Sequence, residues 1–126
     1  MMKFKTVMVI KAVVCLTLGL PILFVPGLFY SLFGATLGAG GTFAAREYGA
    51  SLIGNLLVTW FARNATESHA RRAIILGLCV YDAIGFVITL IATISGVLNP
   101  LGWSAVVIYL FFAVGFGYFL INSPQP

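Results

Sequence analysis

The sequence predicts an all-α integral membrane protein: a four-helix bundle with both termini cytoplasmic and a first helix kinked at proline. Three observations lead there. Of 126 residues, 61% are hydrophobic and 8% charged, with a mean hydropathy of +1.10. Soluble domains average roughly 45–50% apolar and about 25% charged residues, so seven Lys/Arg and three Asp/Glu cannot clothe a surface that faces water. Second, the apolar runs approach or exceed the ~20 residues needed to cross ~30 Å of hydrocarbon. Third, they are apolar all round, without the alternation that strands of a membrane barrel require. The same composition excludes a disordered chain and a nucleic-acid binder with a broad basic face. The length fits a single transmembrane domain over residues 1–126.

The first span is placed at about residues 7–26, inside a run from Ala12 to Gly34 that carries no charge. Pro21 is expected to kink it and Pro26-Gly27 to end it, so that Leu28 to Phe33 lies in the interface rather than crossing. Lys3 and Lys5 before this run give it the look of a secretion signal. The run exceeds the ~7–15 apolar residues of a signal core, so a retained helix is expected. Gly38-Ala39-Gly40-Gly41 breaks the chain before the second span. That span, about 43–62, reaches membrane length only if it starts near Phe43, which puts Arg46 and Glu47 at headgroup depth with the arginine snorkelling outward. The third, about 73–95, holds Asp82 as its one charged residue, and Asn64 followed by Glu67 fits a helix-start box ahead of it. Asn99-Pro100-Leu101-Gly102 is a turn signal, and the fourth span follows at about 102–121.

Orientation comes from counting Lys and Arg in short loops. Lys3, Lys5 and Lys11 flank the first span on its amino-terminal side, and Arg63, Arg71 and Arg72 flank the connection between the second and third. Arg46 stands alone on the opposite side. The bias puts both termini in the cytoplasm, in what we read as a bacterial inner membrane. Trp60 and Tyr118 then fall at the inner interface, Tyr30 and Trp103 at the outer. Arg46, Arg63, Arg71, Arg72, Trp60 and Trp103 are therefore the expected lipid or interface contacts. A rival reading makes Arg63, Arg71 and Arg72 a site for anionic lipid, although three fall short of the 4–8 basic residues of a lipid-recognition cluster.

An ionisable residue inside the membrane is a functional hypothesis by default. By helical rise, Asp82 lies about 13 Å into its span and Asn55 about 12 Å from the same face, with Lys11 about 7 Å shallower than Asp82. These three form the expected intramembrane polar cluster. Ser51, Asn55 and Thr59 recur along one face of the second helix. Cys79, Asp82, Gly85, Thr89 and Gly96 run down the third, and Lys11, Cys15 and Gly19 down the first. Ser51, Gly54, Thr59 and Gly85 are the expected helix-packing positions, because small and polar residues favour close approach in membranes. The cluster has two readings. One is a structural clamp in which Asn55 and Lys11 satisfy Asp82. The other is a protonatable site coupled to transport.

Catalytic and cofactor chemistry lack their residues. His69 is the one histidine, so bis-histidine haem ligation is impossible, and Glu67 with His69 has no third ligand for a metal. Cys15 and Cys79 form no Cys-x-x-Cys; they read as buried small hydrophobes, with a bridge between them geometrically conceivable. No Gly-x-Ser-x-Gly elbow, phosphate loop or dinucleotide fingerprint occurs. No catalytic residue, metal or cofactor is expected.

The segment Phe43-Ala-Ala-Arg-Glu-Tyr-Gly-Ala-Ser-Leu-Ile-Gly54 resembles small four-span bacterial membrane proteins of uncharacterised function and, more distantly, the DoxX-like and ergosterol-biosynthesis scaffold groups. Arg46 and Gly49 are the matching positions. The resemblance implies a four-helix bundle with an accessory or scaffolding role. Small multidrug exporters share the size and span number but place a carboxylate in the first helix, where this chain has Lys11. The expected function is a non-enzymatic membrane subunit or scaffold, with the lipid bilayer and other membrane proteins or copies of itself as partners, and no nucleic acid. The alternative is a small oligomeric proton-coupled transporter or channel using Asp82.

Overall fold

The computed structural model describes residues 2–122. Met1 and residues 123–126, and with them the chain ends whose cytoplasmic placement the charges predict, lie outside the described residues. The described residues are all-α, without a strand. In chain order the helices are α1 (Phe4–Phe24), α2 (Pro26–Ser31), α3 (Ala39–Ala62), α4 (His69–Ile94) and α5 (Gly102–Asn122). Three of them, α1, α4 and α5, are long and apolar enough to cross a membrane. The fourth long helix, α3, has the length but carries Arg46, Glu47 and Asn55, and its composition falls short.

Local chemistry explains the boundaries and moves some of them. α1 starts at Phe4, before the expected position, and runs through Pro21 to Phe24. Pro21 lacks an amide for the Thr17 carbonyl, but its own carbonyl accepts from Val25 N–H at 2.8 Å. The chain leaves the helix at Val25 and restarts at Pro26, a residue suited to a first helical position because its missing N–H needs no partner there. Gly38, first of the four residues expected to break the chain, caps α3, which begins already at Ala39. The start of α4 is set by Ser68, not by the Asn64 box. Ser68 Oγ accepts from Arg71 N–H at 3.1 Å, whereas Asn64 belongs to the turn that follows α3, too far upstream to reach those amides. At the far end of α4, Gly96 takes φ +85°, and Leu98 N–H returns to the Ala92 carbonyl at 3.1 Å, closing the helix.

The chain divides into two compact units, Met1–Arg63 and Asn64–Pro126. In the first, α1 and α3 run antiparallel. Residues Phe4, Met8, Lys11, Cys15, Gly19 and Ile22 are buried along α1 at three- and four-residue steps, the stripe that lets one helix lie along another. The helices nearly touch at two glycines. A Cβ on Gly19 would stand 3.2 Å from Leu52 Cβ, and one on Gly49 would stand 2.7 Å from Leu23 N and 2.8 Å from Leu23 Cα. Gly54, expected at a packing contact, is instead exposed with nothing near a Cβ, and Ser51 is exposed as well. The four-residue spacing drifts around the helix, so Gly49 and Leu52 meet α1 and those two do not.

In the second unit, α4 and α5 also run antiparallel. Arg72 contacts Leu120, Cys79 contacts Ala113, Gly85 lies against Tyr109, and Thr93 against Gly102. Each step forward on α4 is matched by a step back on α5.

The two glycines of α3 give a paired prediction. Gly49→Ala forces a methyl group into the Leu23 backbone and should destabilise the protein by about 1–3 kcal/mol. Gly54→Ala meets open space and should be neutral or stabilising by up to about 1 kcal/mol. Unfolding in a mild detergent reads both. Equal effects would contradict a close helix crossing at Gly49.

Candidate functional site

The hydroxyl groups of the long helices turn back on their own backbones. Thr17 donates to the Val13 carbonyl at 2.8 Å, Thr59 to Asn55 at 2.8 Å, Thr89 to Gly85 at 2.8 Å and Thr93 to Thr89 at 2.7 Å. In hydrocarbon an unmatched polar group costs several kcal/mol. A hydroxyl bonded to the carbonyl one turn earlier meets that demand without a partner elsewhere. These side chains are therefore occupied locally rather than aimed at a substrate.

Two charged side chains are buried within apolar helices, Lys11 on α1 at 3% exposure and Asp82 on α4 at 0%. Both are engaged by their surroundings. Lys11 stands in the buried stripe of α1 between Met8 and Cys15. In the same unit, the Gly19–Leu52 and Leu23–Gly49 contacts fix the register and put half-buried Asn55 about level with Leu16. Lys11 is about 8 Å further toward the start of α1. Asp82 belongs to the second unit, midway along α4. It falls between the Cys79–Ala113 contact, where the thiol reaches the carbonyl at 3.6 Å, and the Gly85–Tyr109 contact. The opposite stretch of α5 carries Phe112, fully buried and stacked on Phe116 one turn further on, with ring centroids 6.1 Å apart. Of the expected cluster, Lys11 and Asn55 belong to the first unit and Asp82 to the second.

Gly85 has a definite role. A Cβ there would overlap the ring of Tyr109, so the glycine is what lets that ring lie flat against α4. Tyr81, one turn before, meets Tyr109 with centroids 6.3 Å apart. Sequence reading found Gly85 by its spacing from Asp82 but missed Tyr109 and Tyr81, because nothing in an apolar run marks which aromatic ring faces a glycine. Thr59 is fully buried.

The basic residues are more committed than a lipid-contact role implies. Arg71 is largely buried and ion-paired to Glu67, just ahead of the α4 cap, at 2.8 Å. Arg72 donates to the Leu120 carbonyl at 3.1 Å, placing a cation at the carbonyl end of α5 where the helix dipole favours it. Arg63 stacks on Trp60, 3.9 Å from the ring centroid, and donates to its carbonyl, worth about 0.5–1 kcal/mol at an exposed site. Of the three arginines in the rival anionic-lipid site, Arg71 and Arg72 thus hold their own unit together. Arg46, Trp60 and Trp103 are exposed.

Among the described residues, no three His, Cys, Asp or Glu side chains converge as metal ligands. Cys15 and Cys79 are not joined in a disulfide, and Cys15 is fully buried in the core of the first unit with Ile22, Ala45 and Leu52. No protein-family model, curated protein or solved structure matches the chain.

The Gly85 contact is testable by a double-mutant cycle. Gly85→Ala should destabilise by about 1–3 kcal/mol through overpacking. In a Tyr109→Leu background most of that penalty should vanish, a coupling within the ~0.5–3 kcal/mol range of touching residues. Additive effects in thermal unfolding would place the ring elsewhere.

Proposed function

We propose that this protein is a non-enzymatic small subunit or scaffold of a bacterial cytoplasmic membrane, a four-helix bundle that packs against other membrane proteins. The observation that carries the reading is the combination of bare apolar exteriors with threonine hydroxyls bonded within their own helices. Val13, Leu16, Leu20 and Phe24 on α1, Leu57, Val58 and Phe61 on α3, Ile84, Ile88 and Ile91 on α4, and Val107 and Val114 on α5 are all exposed. The helical hydroxyls meanwhile serve their own carbonyls. Such a chain offers neighbours surface and shape, with little polar chemistry to offer a substrate. The resemblance to DoxX-like and ergosterol-scaffold proteins points the same way. Its two residues are Arg46, exposed on α3, and Gly49, the point of closest approach to α1.

Gentle solubilisation followed by native mass measurement tests this. The expected species is a complex with other membrane proteins or with further copies of the chain. A stable monomer bound to nothing rules the scaffold out.

One observation favours a second reading. Asp82 is fully buried midway along an apolar helix, the placement of proton-coupling carboxylates in transporters. If it works as one, reconstituted protein should show proton-coupled flux that Asp82→Asn abolishes while unfolding stability stays near wild type. Under the scaffold reading no such flux exists, and Asp82→Leu costs stability because the groups that engage the carboxylate lose it.

A further inference from the structure

We infer that α2 and the outer end of α1 form a continuous lipid-embedded surface, with the outward face of α2 seated among acyl chains at the membrane boundary rather than in water. This goes beyond the scaffold reading and does not depend on it.

The row of exposed side chains comes first. Val13, Leu16, Leu20 and Phe24 line the outside of α1 at three- and four-residue steps, and Leu28 and Leu32 continue the same spacing through α2. Exposure steps up from 43% at Leu20 to 68% at Phe24 and stays high at Leu28 (67%) and Leu32 (61%). α1 is long and apolar enough to cross a bilayer, so the outer row of that helix meets lipid. The α2 row follows it beyond the break at Val25. From Ala12 to Ala45 no side chain carries a charge.

The inward side fixes how α2 sits. Pro26 is buried, and Phe29 and Tyr30 pack against the cluster of Cys15, Ile22, Ala45 and Leu52. Phe29 meets Tyr30 edge to face and Phe33 at a tilt, both with centroids 5.2 Å apart. A helix of six residues is unstable by itself; these rings hold it, and in doing so they turn Leu28 and Leu32 outward.

The backbone is compatible with that placement. Here the chain beyond α2 winds back on itself. Leu32 N–H bonds the Phe29 carbonyl at 3.2 Å, Phe33 and Ala35 N–H both bond Tyr30 at 3.0 Å, and Gly34 N–H bonds Ser31 at 3.1 Å. Gly34 reaches this geometry with φ +75°. Even the Ser31 hydroxyl is spent on the Leu28 carbonyl at 2.6 Å. Irregular backbone persists at membrane depth only where its polar groups are met internally, and this turn meets that condition.

Site-directed spin labelling decides it. Leu28→Cys and Leu32→Cys are labelled in a Cys15→Ala/Cys79→Ala background and reconstituted in phosphatidylcholine–phosphatidylglycerol vesicles, with exposed His69→Cys as the aqueous reference. Labels at 28 and 32 should collide several-fold more often with oxygen than with a water-soluble nickel chelate, the reverse of His69. Nickel access equal to that at His69 would make α2 an aqueous loop. Low collision with both reagents would mean that protein, not lipid, covers this face. Either result overturns the inference. As a check independent of the cysteine background, Leu32→Trp in a Trp60→Phe/Trp103→Phe protein should be quenched by brominated acyl chains; absence of quenching also overturns it.

Discussion

A chain with almost no charge must close its own polar groups, and that constraint governs everything else in this protein. Where the solvent is hydrocarbon, an N–H or C=O without a partner costs several kcal/mol, and only structures that satisfy the backbone internally survive. The all-helical outcome follows directly. So do the details: threonines that bond the preceding turn, the wound turn after α2, and the tight closure of α4 at Gly96. Ser68 and Arg72 complete the pattern at helix ends, one accepting from an amide and the other donating to a carbonyl.

Once the backbone is satisfied, the hydrophobic effect can no longer choose which helix faces meet, since lipid is as apolar as leucine. Close packing takes over. In each unit the contact is made by a glycine and something that fits it: the Leu23 backbone against Gly49, the Tyr109 ring against Gly85, the Thr93 hydroxyl against Gly102. These are shape contacts, short-ranged and intolerant of one methyl group. They give each antiparallel pair its register, and the register in turn sets the levels at which Lys11 and Asp82 are buried.

The two buried charges stand apart from this economy of shape. Lys11 interrupts an apolar packing stripe, and Asp82 lies at the level of Phe112 and the Gly85–Tyr109 contact. Burying an ion in hydrocarbon is costly, and each of the two is engaged by its surroundings.

Composition alone determined the class. Long apolar runs admit one backbone solution, and the runs from Ala12, Ala73 and Trp103 became α1, α4 and α5. The turn at Asn99-Pro100 was legible because Asn99 bonds the backbone two residues on, at 3.0 Å. The candidate site was legible as residue types, since a lone aspartate or lysine in such a run cannot be overlooked. Which face each residue occupies was legible on α1, where Lys11, Cys15 and Gly19 mark the buried stripe, and not on α5, which is apolar around its whole circumference. Gly49 and Gly54, or Tyr109 and any other ring of α5, look alike until a second helix approaches. Ser68 prevailed over Asn64 for a related reason: a cap depends on reach to particular amides, and only the folded turn supplies it. Residue chemistry chose helices over strands because hydrocarbon leaves no alternative, whereas the tertiary structure chose the partners because packing depends on shape at contact distance, which the order of residues along one helix does not encode.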